Sequence, residues 1–162
     1  MKEDNRMLKF VYSVFLGVLL AVFVGVGVAT FYPGPKPVEY PTTLNNISKE
    51  PSPYQLEIQN NFETKMAQHN KDMMPYNRNV SVIVLSAAVV LLVLGLIFER
   101  KIMVLSEGVT LGGLFSLIYG IGRGFASQDT KYSFLAVTIG LIIVLYLGYH
   151  RFVKSHDVAT KK

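Results

Sequence analysis

Residues 10–32 read FVYSVFLGVLLAVFVGVGVATFY, an uncharged run of 23 residues. About 20 consecutive apolar residues suffice for a helix to cross the hydrocarbon core of a bilayer. The competing reading is a cleavable signal peptide, because Lys2, Arg6 and Lys9 make a plausible basic leader. Signal h-regions run only about 7–15 residues. This run is longer and has no small-residue cleavage pattern after it, so a retained span is expected.

Three further apolar stretches follow. Residues 80–98 read VSVIVLSAAVVLLVLGLIF. The segment is rich in β-branched residues, but its length and lack of turn residues favour a helix, since peptide groups in lipid must be satisfied within their own segment. A third span covers 102–122, after only Glu99-Arg100-Lys101, and a fourth covers 133–149. The expected fold is an all-α membrane protein: a four-transmembrane-helix bundle with a proline-rich extracytoplasmic loop containing one amphipathic helix. Its parts are an N-terminus of 1–9, spans at 10–32, 80–98, 102–122 and 133–149, a large loop of 33–79, a tight turn of 99–101, an outer loop of 123–132 and a basic tail of 150–162.

Composition agrees with this division. Hydrophobic residues make up 51% of the 162-residue chain and charged residues 17%. All seven prolines fall between Pro33 and Pro75, while every glycine except Gly34 lies outside that interval. There is no cysteine, which excludes disulfides, thiolate metal sites and cysteine nucleophiles.

The net charge of +5 does not point to nucleic acid, because residues 33–79 balance five bases against five acids and the excess sits at the ends of the apolar runs. Lys2, Arg6, Lys9, Arg100, Lys101, Arg151, Lys154, Lys161 and Lys162 all fall on one side, against Lys36, Arg78, Arg123 and Lys131 on the other. The positive-inside rule then places both termini in the cytoplasm and loop 33–79 outside it.

The loop opens with YPGPKPVEYP (32–41), expected to be an extended, polyproline-like spacer. A helix over about 53–74 should follow. Ser52-Pro53-Tyr54-Gln55 has the form of a capping box with proline at the first helical position. Tyr54, Ile58, Phe62, Met66, His69 and Met73 recur at three- and four-residue steps and make one apolar stripe. Pro75 is expected to stop this helix. The stripe needs a cover, and the outer ends of the spans are favoured over the lipid interface or a partner. Asn46-Ile47-Ser48 matches the glycosylation sequon, a short pattern that is frequent by chance.

Small residues recur every four positions in two spans: Gly108, Gly112, Ser116, Gly120 and Gly124 in the third, and Gly17, Ala21, Gly25 and Ala29 in the first. Such ridges let helix backbones approach closely where lipid supplies no hydrophobic drive. The two are expected to face each other within one molecule, the rival being a homodimer. Gly120, Gly122 and Gly124 are also expected to loosen the outer end of the third span, where Arg123 snorkels to the interface.

Candidate chemistry is sparse. Glu107 is the one acid inside an apolar segment, and an ionisable group there is a functional hypothesis by default. The plainer expectation is a polar lock to His150, Arg151 or Arg100. His69, His150 and His156 have no metal-ligand spacing, and no catalytic motif or cofactor-binding pattern is present. These features point to a non-enzymatic scaffold, accessory or assembly subunit acting through its external loop. Its expected partners are the lipid bilayer and either another membrane protein or further copies of itself. The alternative is a transporter or channel component, possibly oligomeric, with Glu107 as an intramembrane polar site.

Overall fold

A computed structural model describes residues 2–42, 52–99 and 102–153, with side chains from residue 6 onward and up to residue 151. Asn46, Arg100, Lys101, Lys154, His156, Lys161 and Lys162 lie outside these. The described residues form four helices and no strand: α1 (Lys2–Phe31), α2 (Pro53–Phe98), α3 (Met103–Ala126) and α4 (Thr130–Gly148), the last continuing into a π-helical turn at Tyr149–Val153. All four are long and apolar enough to cross a membrane.

The helices begin and end further out than hydropathy alone implies. Helix α1 starts at Lys2, eight residues before the apolar run. Helix α3 continues through Gly120, Gly122 and Gly124 to Ala126, so those glycines do not end it. The loop expected over 123–132 shrinks to Ser127–Asp129, because both helix ends are capped there. Ser127 Oγ donates to the Gly124 carbonyl at 2.6 Å, Gln128 takes a left-handed φ of 57°, and the Asp129 carboxylate accepts from the backbone of Lys131 and Tyr132 at 3.0 and 3.1 Å. A carboxylate at that position satisfies amide groups left open by the first turn of α4.

The largest departure concerns Pro75. Instead of ending the external helix, it sits on the exposed side of one continuous 46-residue helix, α2. At 1.5 Å per residue, α2 is about 70 Å long. An interior proline removes one hydrogen bond and costs about 3 kcal/mol. The residues just after it offset that cost through contacts that exist only if the helix runs on. The Tyr76 ring stacks on Tyr32, with centroids 5.5 Å apart. Asn77 Nδ2 donates to the Ala126 carbonyl at 3.0 Å, and Asn79 Nδ2 to the Tyr32 hydroxyl at 2.9 Å. The amino end of α2 carries the expected capping box: Ser52 Oγ accepts from Gln55 N at 3.3 Å and Gln55 Oε1 accepts from Ser52 N at 2.9 Å.

Helix α3 is the centre of the bundle and packs along both α1 and α2. Leu85, Ala88, Leu92, Leu117, Ala136 and Leu147 form the main buried cluster, and Val28, Val80 and Val84 a second one where α1 meets α2. Hydroxyl groups tie the helices together. Ser106 Oγ donates to the Gly95 carbonyl and Ser81 Oγ to the Gly120 carbonyl, both at 2.7 Å.

The small residues of α3 do not serve a single neighbour. A Cβ on Gly108 would collide with Leu16, and one on Gly112 with Leu20, both on α1. A Cβ on Gly120 would instead press on Leu85 of α2, and one on Gly124 would meet Ser81 of α2 and Tyr132 of α4. Ser116, between them, is fully buried. With 3.6 residues per turn, each step of four turns the ridge by about 40°, so the sixteen residues from Gly108 to Gly124 sweep about 160°. A four-residue repeat this long winds from one partner to the next. On α1 the close approach centres on Gly17, whose added Cβ would lie 2.7 Å from Leu111 Cβ and 3.2 Å from backbone atoms of Gly108 and Gly112. Ala21 is half-buried, Gly25 faces Tyr119 at ordinary distance, and Ala29 is exposed.

Candidate functional site

Three places bring together the residues that carry chemistry. The first is the proline arm and the part of α2 beside it. Residues 33–41 take no regular secondary structure and lie along α2. Gly34 sits against Tyr76, where a Cβ would approach the ring to 3.0 Å. Six residues on, Tyr40 meets Phe62 edge to face at 5.3 Å. From Tyr76 back to Phe62, α2 rises about 21 Å, and six extended residues span about 20 Å. The arm therefore runs almost fully stretched beside α2.

This arm, and not the outer ends of the spans, lies over part of the apolar stripe. The part of α2 before Tyr76 leads away from the buried clusters, which begin at Val80, and the aromatic neighbour of Phe62 is Tyr40 of the arm. Ile58, Phe62, Met66, His69 and Met73 are half-buried, whereas Tyr54 and Leu56 near the tip are 66% and 45% exposed. Between arm and helix lies an open cleft of about 800 Å³, with Lys36 and Glu39 on one wall and Lys65, His69 and Asp72 on the other.

The second place is an aromatic clasp at the loop-side border. The Arg123 guanidinium lies 5.3 Å from the Tyr76 ring centre and 5.9 Å from that of Tyr119. Tyr76 in turn stacks on Tyr32, to whose carbonyl its hydroxyl donates at 3.2 Å. Sequence reading treated Arg123 as a snorkelling charge. The structure places it half-buried between two rings, joining α2 to α3. A cation over an aromatic face is stabilised by the ring quadrupole, more so when desolvated. The available signal was the alternation of tyrosines and arginine at the span borders, which an anchoring role explains equally well.

The third place is a cleft of about 490 Å³ between α1, α3 and α4, at the end of the bundle that holds the start of α1 and the end of α4. Glu107 lines it, and its carboxylate accepts from Ser13 Oγ at 3.4 Å; the same hydroxyl lies 3.1 Å from the Val104 carbonyl. Arg151 lines the same cleft. Of the three basic partners expected for Glu107, Arg100 lies outside the described residues. His150 packs its ring on Tyr146 with a buried, unpartnered Nδ1. Arg151 shares the space without an ion pair among the described residues. The hydrogen-bond partner Ser13, 91 positions from Val104, carries no signal in a single sequence.

Among the described residues no group of three or more His, Cys, Asp or Glu side chains is placed to hold a metal ion. No protein-family model, curated protein or solved structure matches this chain, so its function has to be read from its own residues.

Proposed function

We propose that this chain is an integral membrane protein with both termini cytoplasmic, acting as a non-enzymatic scaffold or accessory subunit that holds another membrane protein through its external helix. The observation that carries this reading is the unbroken course of α2 from Pro53 to Phe98. Its first 27 residues extend the span by about 40 Å, braced at the base by Tyr32, Tyr76 and Asn77 and along the side by the proline arm. A lone helix in water is marginal, but one continued from a packed span is held in register. The tip presents Tyr54 and Leu56 well away from the lipid-facing surface.

A photo-crosslinking amino acid at Tyr54 or Leu56, introduced in the native host membrane, tests this. The reading expects one discrete adduct with a membrane protein, absent when the probe is moved to lipid-facing Phe23 and lost when the second tip residue is changed to glutamate. Adducts confined to the chain itself, or none at all, overturn it. An adduct between two copies converts the reading to self-assembly.

A second reading, a transporter or channel component, is favoured by the cleft that reaches Glu107. Its deeper lining at Leu114 and Val144 is apolar, so a path across the membrane needs further copies of the chain. Loss of solute or proton flux in reconstituted vesicles on Glu107→Gln, with the fold retained, supports this reading; unchanged flux, or none in the wild type, removes it.

A further inference from the structure

We propose that the cleft between α1, α3 and α4 is a binding site for a phospholipid with a primary-ammonium headgroup, of the phosphatidylethanolamine class. The walls are two helical faces at matching depth. On α3 they are Glu107, Thr110, Leu111 and Leu114; on α4 they are Val144, Leu147 and Gly148, with Arg151 following in the π-helical turn. The α3 set has the spacing i, i+3, i+4, i+7 and forms one face, and Val144, Leu147 and Gly148 do the same on α4, with Arg151 brought to the same cleft by the turn that follows. The two helices run in opposite directions, so the charged ends, Glu107 and Arg151, meet at the same mouth while Leu114 and Val144 lie together about 10 Å deeper. The cleft is thus graded from charge to hydrocarbon over the depth where a lipid passes from headgroup to acyl chain.

The headgroup follows from the charges. An acid and a base lie in one half-buried space without pairing to each other among the described residues, and ionised groups at such depth are costly unless compensated. The phosphate of a zwitterionic headgroup answers Arg151 and its ammonium answers Glu107, with no net charge added. The hydrogen bond from Ser13 uses only one of the acceptor positions of the Glu107 carboxylate, leaving others for an ammonium donor. A quaternary choline has no N–H to give and is recognised by aromatic cages, whereas among the described residues Phe10 is the single aromatic one on this cleft. An anionic glycerol headgroup offers Glu107 hydroxyl donors but no positive charge, and leaves the site with an unbalanced negative charge.

The test uses the purified full-length chain and equimolar palmitoyl-oleoyl phosphatidylethanolamine, phosphatidylcholine and phosphatidylglycerol, with retained lipid counted by native mass spectrometry. Retention of the ethanolamine lipid should exceed that of the other two by about tenfold, the scale of one charge-assisted hydrogen bond. Glu107→Gln should bring ethanolamine and choline lipids to parity, and Arg151→Gln should lower retention of both. Val144→Trp, at a position 43% exposed and so tolerant of bulk, should block the acyl end and lower retention of all three. If the Glu107 variant fails to elute as a folded species, Arg151→Gln and Val144→Trp carry the test. Equal retention of the three lipids by the wild type, or wild-type selectivity in folded Glu107→Gln, overturns the assignment. Lipid retention does not involve Tyr54 or Leu56, so the crosslinking result and this one stand or fall separately.

Discussion

Gly17→Ala is the sharpest probe of how the bundle is held together. The added methyl would sit 2.7 Å from Leu111 Cβ and 3.2 Å from the Gly108 carbonyl oxygen and the Gly112 amide nitrogen. None of these is the far end of a flexible side chain, so α1 and α3 must move apart. Overpacking of this kind costs about 1–3 kcal/mol. Against it stands the better helix propensity of alanine, about 1 kcal/mol. Gly27→Ala isolates that second term, because nothing lies within 4 Å of the methyl it adds. The two variants should therefore differ by about 1–3 kcal/mol, or about 5- to 150-fold in the unfolding equilibrium. Gly27→Ala should equal or exceed the wild type, and Gly17→Ala should fall below Gly27→Ala. Unfolding in mixed micelles of rising dodecyl sulfate fraction, followed by the near-ultraviolet circular dichroism of the tyrosines, reads the difference. Equal stability of the two variants would overturn this account of the α1–α3 contact. So would a Gly112→Leu, Ser116→Leu double variant that remains a well-folded monomer and loses only an oligomer, since the close approach would then belong between copies.

Further outcomes follow from the same contacts. Ser81→Ala and Ser106→Ala each delete a buried interhelical hydrogen bond of 2.7 Å; each should cost about 0.6–1.7 kcal/mol in the micelle assay, while Ser86→Ala, whose hydroxyl bonds only its own helix at Val82, should cost less. Arg123→Ala should destabilise by about 0.5–2 kcal/mol, and Arg123→Lys should recover only part of this because the planar guanidinium is what lies against Tyr76 and Tyr119. Pro75→Ala restores a backbone donor inside α2 and should stabilise the helix by up to about 3 kcal/mol, seen as slower amide exchange over 71–79. Faster exchange there would mean that the proline shapes the helix at this point.

Much of the architecture was legible in the chain because it depends on local physics. An uncharged run of 23 residues from Phe10 to Tyr32 is long enough for a span whatever it packs against. The capping box at Ser52–Gln55 likewise satisfies its donors within one turn. Propensity misled at Pro75, because the energy that carries α2 through it comes from Tyr32, just past the end of α1, and Ala126, at the end of α3. The reading of Arg123 also fell short: a border arginine reads alike whether it reaches water or lies between Tyr76 and Tyr119.

Spacing along one helix says which residues share a face; it does not say which neighbour that face meets. Composition and spacing along the chain were enough for the four apolar helices, their polar connections and the presence of an acid, Glu107, within the third. It took the packed helices to show that the glycine ridge of α3 is divided between α1 and α2, that the proline arm lies along the first part of α2, and that Glu107 shares a cleft with Ser13 and Arg151. The reason is that helix formation is set by contacts three and four residues apart, whereas these juxtapositions depend on crossings between segments far apart in the chain.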